Sequence, residues 1–165
     1  MNYKILSIRS RVALLTLCIS KLIKTKYPAY AATSGKVTNV LWDFVEADWF
    51  DRWEEASEYY QPRFILESRY GNLTPELFEE LFRFYSTLPS KVVRLVQCAF
   101  EAAQGNLYGG IDQHSHFTLD PLLEGIEIFH SFELEILNSV HFEYSTDPTC
   151  TIWGEPVNRS NYEGA

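Results

Sequence analysis

The feature that most constrains the fold is a three-and-four spacing of apolar residues, which recurs in every strongly patterned segment of the chain. In the first such segment the spaced residues are Ile5, Ile8, Val12, Leu15, Ile19 and Leu22. Residues at this spacing share one face of an α-helix, so the segment predicts a helix over Ser7–Lys26 that is buried along one side. Alternating patterns typical of strands are scarce and short.

The same spacing predicts four further helices, which cover residues 36–60, 74–88, 89–105 and 120–140. Local signals mark several of their ends. Thr74 is an N-cap with Pro75 at the first helical position, and Gly105 is a helix stop. Asp120-Pro121 opens the last helix.

The chain of 165 residues is long enough to bury one core. The helical segments therefore predict an all-α fold, a single-domain bundle of about five helices. We expect the helical domain to span residues 1–145 and an irregular C-terminal tail to span residues 146–165.

Charge is distributed unevenly along the chain. Residues 1–42 contain seven Lys or Arg and no acidic residue, whereas all 22 Asp and Glu lie from Asp43 onward. Phosphate repels such an acidic body, which argues against nucleic acid as a partner. The three cysteines are Cys18, Cys98 and Cys150. Their odd number and wide spacing predict unpaired thiols in a reducing compartment.

The basic N-terminus has two interpretations. Its longest uncharged run, Val12–Ser20, is too short to span a bilayer, so no membrane is expected as a partner. An amphipathic, basic and acid-free start is also typical of a mitochondrial presequence. The regular apolar spacing favours a helix of the folded domain instead, and hence a cytoplasmic protein.

The segment "LWDFVEADWFDRWEEASEYYQP" (Leu41–Pro62) contains three of the four tryptophans and seven carboxylates. On one continuous helix, Trp42, Trp49 and Trp53 share a face that we expect in the core. The acidic residues on the opposite face are Asp43, Asp48, Asp51, Glu54, Glu55 and Glu58. That face is either a solvated surface or a docking surface for a cationic protein. Carboxylates that point to water do not have the shifted pKa values that acid–base catalysis needs.

A histidine-rich segment supplies the alternative function, a metal-binding bundle or a metal-dependent enzyme. Its candidate ligands are Asp112, His114 and His116 in one short run, and Glu127 and His130 in a Glu-x-x-His step. Di-iron bundles use two such steps with further inward carboxylates, and this chain has one. Signatures of hydrolases, phosphate-binding loops and dinucleotide sites are absent from the sequence, which therefore predicts no enzyme and no cofactor.

The segments "ALLTLCISKLIKTKYPAYAATSG" and "LWDFVEADWFDRWEE" resemble the start of the YjaG-like family of small helical bacterial proteins. The positions that carry the resemblance are Leu17-Cys18, Pro28-x-Tyr30 and Ser34-Gly35. It implies a helical fold and a bacterial cytoplasmic protein. As a class, small acidic helical proteins without a catalytic constellation are similar to immunity proteins, each of which neutralises one toxin.

These patterns together predict a non-enzymatic protein-binding module. Its most specific form is an immunity protein that holds a basic toxin domain on the six-residue acidic face.

Overall fold

The computed structural model describes residues 3–48, 50–105, 107, 115–136 and 153–162, and for Asp51, Arg52 and Asn161 it describes the backbone alone. Within these ranges the chain forms α-helices joined by short turns, without a β-strand. The helices are α1 (Ile8–Lys26), α2 (Ala31–Glu46), α3 (Asp51–Ser57), α4 (Pro62–Leu66), α5 (Pro75–Thr87), α6 (Ser90–Gln104) and α7 (His116–His130). The predicted all-α class is confirmed, but the described ranges contain seven helices instead of about five.

The extra helices arise because the predicted helix over residues 36–60 is not continuous. α2 ends at Glu46, and Ala47 takes an extended conformation before α3 begins. The indole N–H of Trp53 donates a hydrogen bond to the carbonyl of Val40. On a straight helix these residues would lie about 20 Å apart along the axis. The break therefore folds α3 back against α2 and buries both rings of the Phe44–Trp53 pair.

α1 is the central helix of the fold. It packs against α2, α6 and α7. The hydroxyl of Ser7 caps its first turn by accepting the N–H of Ser10, so the predicted bounds are confirmed. Its first turns are nevertheless buried on every side, and not along one face as predicted. Arg9 and Arg11 are therefore buried in the protein interior. No helix of the described residues is long and apolar enough to cross a membrane.

The two buried arginines of α1 are bonded to backbone carbonyls. Arg9, 3% exposed, donates to the carbonyls of Phe44, Val45 and Gly154 at 2.9, 2.9 and 3.1 Å. It thereby closes the C-terminal end of α2. Arg11, 1% exposed, donates to the Leu6 carbonyl and to the Thr118 hydroxyl near the start of α7. Burial lowers the pKa of Arg11 to about 10, which leaves it charged at neutral pH.

α5 and α6 follow the predicted pattern. The Thr74 hydroxyl accepts the N–H of Leu77, and Pro75 takes the first helical position. α6 ends at Gln104 before Gly105. α2 begins at Ala31, five residues before the predicted start at residue 36, after a single turn of 3-10 helix at Pro28–Tyr30.

α7 differs from its predicted bounds at both ends. It begins at His116, so Pro121 lies inside it instead of opening it. It ends at His130, and the left-handed backbone of Glu133 (φ 58°) turns the chain away. Ile136, predicted to be helical, is not, and residues 137–140 lie outside the described residues.

Residues 153–162, the described part of the predicted C-terminal tail, pack along α2. The ring of Tyr162, 3% exposed, stacks on Trp42 with centroids 5.5 Å apart. The N–H of Val157 donates to the carbonyl of Val45 at 3.2 Å. The segment is irregular apart from a 3-10 turn at Arg159–Asn161, yet it completes the core beside α2.

Candidate functional site

Three of the predicted acidic residues meet at one surface groove. Glu54 and Glu55 on α3 and Glu58 in the turn that follows line an open depression of about 290 Å³. Its other lining residues are Arg63, Phe64 and Gln104, which come from α4 and α6. We call this site the acidic groove. It exists because α3 folds back over α2 and brings its outward face towards the end of α6.

The other three predicted acids do not line the acidic groove. Asp43 is exposed on α2, where burial and the neighbouring Glu46 raise its pKa while Arg159 opposes the shift. Asp48 is exposed in the bend between the two helices, and the side chain of Asp51 lies outside the description. The prediction that all six share one face of a continuous helix is therefore wrong, since the helix is interrupted.

Aromatic packing beneath α3 fixes the position of the acidic groove. Trp42 and Trp53 are buried as predicted, and Trp49 lies outside the described residues. The Phe44 ring contacts Phe50 and Trp53, each at 4.8 Å between centroids. This cluster anchors one side of α3, so Glu54 and Glu55 of α3 lie on the side that faces the acidic groove.

The three glutamates of the acidic groove outnumber its one described cation, Arg63. Among the described side chains, no ion pair involves Glu54, Glu55 or Glu58. The guanidinium of Arg63 lies over the Phe64 ring, 4.5 Å from its centroid, instead of pairing with a glutamate. Three carboxylates without an ion-pair partner among the described side chains form a surface suited to a cationic side chain.

A second and larger groove runs between α6 and α7, and we call it the α6–α7 groove. It holds about 430 Å³ and shares Gln104 with the acidic groove. Two of its three acids are ion-paired, because Arg94 contacts Glu101 at 2.8 Å and Glu124 at 2.6 Å, whereas Asp120 also lines the groove. These hydrogen bonds raise the pKa of Arg94 and lower that of Glu124.

Sequence reasoning missed most of the neutral and basic residues of both grooves. Arg63, Phe64 and Gln104 carry no motif, and tertiary packing alone brings them to α3. The pairing of Arg94 with Glu124 joins two helices and leaves no signal in the sequence. Arg94 and Glu101 are seven residues apart and so lie on one helix face. This spacing is the sequence signal for their ion pair.

The described candidate metal ligands, His116, Glu127 and His130, are not brought together around one site. His116 starts α7 and His130 ends it, so they lie about 21 Å apart along the helix axis. Glu127 and His130 are exposed, and Nδ1 of His130 lies 3.1 Å from the carbonyl oxygen of Leu134. Asp112 and His114 lie outside the described residues. Within the described part, no three His, Cys, Asp or Glu side chains are placed to hold an ion.

The described cysteines do not provide a nucleophile. Cys18 and Cys98 are unpaired and buried, and burial raises the pKa of each to about 12. A thiol reacts as its thiolate, so neither is reactive at neutral pH. Cys150 lies outside the described residues.

No protein-family model, curated protein or solved structure matches this chain. The resemblance to YjaG-like proteins therefore stays a prediction from the sequence.

Proposed function

We propose that the protein is a non-enzymatic binding protein that receives a cationic segment of a partner protein in the acidic groove. The observation that carries this proposal is the convergence of Glu54, Glu55 and Glu58 on one groove without an ion-pair partner among the described side chains. Buried or neutralised acids serve the fold, whereas uncompensated acids at a concave surface attract an incoming cation.

The groove suits lysine or arginine side chains, whose long stems let the charged ends reach the glutamates while the partner's backbone stays outside. The exposed carboxylates of Asp43 and Asp48 lie outside the groove and add to the negative charge that attracts a basic partner at long range.

The more specific form of this proposal is an immunity protein that occupies the surface of a basic toxin domain. It is supported by the class likeness of a small, acidic, helical chain and by the net charge of −8. The unpaired thiols of Cys18 and Cys98 support a reducing compartment, and we place the protein in the bacterial cytoplasm.

Two matched triple variants test the proposal. In the first, Glu54, Glu55 and Glu58 are changed to Gln. In the second, the exposed Glu76, Glu79 and Glu127 are changed to Gln, which removes the same charge from other surfaces. Affinity capture from the native lysate is run with the wild type and both variants at low and moderate salt. We expect one basic protein that the wild type and the second variant retain, that the first variant loses, and that salt releases.

Two results contradict the proposal. Equal loss of the partner by both variants means that net charge alone causes the binding. Full retention by the first variant means that the partner binds elsewhere. Circular dichroism of each variant, compared with the wild type, shows whether a lost partner reflects a lost site or a lost fold.

A further inference from the structure

A polar cavity lies between α1 and the first half of α2, apart from both grooves. It holds about 180 Å³. Its lining residues are Ser20, Ile23, Lys24, Ala31, Ser34, Gly35, Thr38, Asn39, Trp42 and Arg159. The last of these belongs to the C-terminal segment that packs along α2. We call this site the α1–α2 cavity.

The charge of the α1–α2 cavity is opposite to that of the protein as a whole. Its lining includes Lys24 and Arg159 and no acidic residue, in a chain whose net charge is −8, although Asp43 and Glu46 lie beside Arg159. The first turn of α2, which also lines it, contains no acidic residue. The N-terminal turn of a helix carries a partial positive charge that favours anions.

Two of the side chains that line the α1–α2 cavity on α2 carry hydroxyl groups, Ser34 and Thr38. Ser34 is 3% exposed, and its hydroxyl makes no hydrogen bond to another described residue. Thr38, one turn further along, instead donates to the carbonyl of Gly35 at 3.2 Å. The Ser34 hydroxyl at the cavity wall can therefore donate a hydrogen bond to an oxygen of a bound ligand.

The C-terminal segment holds one cationic wall in place. Nη1 of Arg159 donates to Oδ1 of Asn39 at 2.9 Å, and its backbone N–H donates to Oε1 of Glu46 at 2.7 Å. These bonds fix the backbone and guanidinium of Arg159 against α2. A cation fixed in this way loses little conformational freedom when an anion binds.

We infer that the α1–α2 cavity binds a small oxyanion of the phosphate class. Lys24 and Arg159 supply the charge, and the hydroxyls of Ser20 and Ser34 supply hydrogen bonds to the oxygens. The cavity is smaller than the roughly 300 Å³ at which sites for drug-sized ligands begin, so a whole nucleotide does not fit inside it. The ligand is either free inorganic phosphate or the phosphate group of a molecule that extends out of the cavity.

Calorimetric titration with inorganic phosphate and with glycerol phosphate tests the inference, with chloride at matched ionic strength as the reference. We expect saturable binding with a Kd below about 10 mM, since non-specific salt effects do not saturate in this range. Lys24→Ala should weaken phosphate binding about tenfold or more. Lys26→Ala, on the same helix but outside the cavity, should bind as the wild type does.

Ser34→Ala separates a ligand site from a structural role. Since this hydroxyl makes no hydrogen bond to the described residues, its removal should leave the melting temperature of the phosphate-free protein unchanged or raised. The same variant should lose phosphate affinity. Binding of inorganic phosphate alone supports a site for the free ion, and binding of both compounds supports a site for a phosphate group.

Two outcomes would overturn the inference. One is the absence of saturable binding of either compound to the wild type. The other is equal affinity for phosphate in Lys24→Ala, Ser34→Ala and Lys26→Ala. Neither outcome bears on the acidic groove, because the cavity shares no residue with it.

Discussion

The charged residues of α1 and of the α3 region differ in sign and also in burial. Arg9 and Arg11 of α1 are buried and donate hydrogen bonds to backbone carbonyls of other segments. Glu54 and Glu58 of the α3 region are partly exposed, Glu55 is exposed, and all line an open groove. Charge that is buried and bonded stabilises the fold, whereas charge left at a concave surface remains available to a partner.

The chemistry of the two side chains explains this difference. A guanidinium has five N–H donors, so carbonyl oxygens of the backbone alone can satisfy it inside a protein. An ionised carboxylate only accepts hydrogen bonds, and most backbone N–H groups of a helical protein are already bonded within helices. An all-α fold therefore accommodates buried arginines more easily than buried glutamates.

Removal of Arg9 should produce the largest effect. Arg9→Ala leaves the carbonyls of Phe44, Val45 and Gly154 without their donor. We expect the free energy of unfolding in urea to fall by about 3 kcal/mol or more. Arg9→Lys should lose much of this stability too, because the ammonium group of lysine cannot reproduce the several N–H donors that a planar guanidinium holds in fixed directions.

The control for Arg9 is Lys26→Ala, which removes an exposed positive charge from the same helix. It should change the free energy of unfolding by no more than about 0.5 kcal/mol. Equal effects of Arg9→Ala and Lys26→Ala would show that the buried arginine does not stabilise the fold.

The ion pairs of the α6–α7 groove should give an intermediate and pH-dependent effect. Arg94 lowers the pKa of Glu124, so the pair stabilises the protein at neutral pH and loses this effect as the pH falls through the lowered pKa. Both side chains are partly exposed, so Glu124→Gln should lower the free energy of unfolding by about 0.5–1 kcal/mol at neutral pH. Thermal unfolding across pH should show the two proteins converge in acid, below the ordinary glutamate pKa of 4.5. A gap that persists in acid would contradict a role for the ion pair.

The acidic groove should give the smallest effect on stability. Glu54 and Glu58 are four residues apart and repel each other. Their replacement by Gln, together with Glu55→Gln, should leave the free energy of unfolding unchanged or raise it by about 0.2–0.5 kcal/mol. Urea titration measures this change. A loss of more than about 1 kcal/mol would place these glutamates among the residues that hold the fold.

Much of the fold could be predicted where local signals and burial agree. α1, α5 and α6 have clear apolar spacing and recognisable ends at Ser7, Thr74 and Gly105, and the structure places them as expected. The burial of Trp42 and Trp53 also followed from spacing, because each lies on the inner face of its own helix.

The break between α2 and α3 could not be predicted, since residues 47–50 contain neither Gly nor Pro. Tertiary contacts cause it: the bond from Trp53 to Val40 and the ring of Phe44 outweigh the preference of the segment for a straight helix. For the same reason the sequence predicted the three glutamates as part of an acidic face but did not predict the groove. Its remaining residues, Arg63, Phe64 and Gln104, depend on how α4 and α6 pack.

Chemical-shift mapping with a lysine- and arginine-rich peptide that lacks acidic residues tests most directly whether the acidic groove is the binding surface. The predicted result is a set of salt-sensitive shifts centred on Glu54, Glu55 and Glu58 and extending to Phe64 and Gln104, and absent from the variant with all three glutamates changed to Gln. Shifts of similar size around Glu76, Glu79 and Glu127, or shifts that persist in that variant, would contradict it.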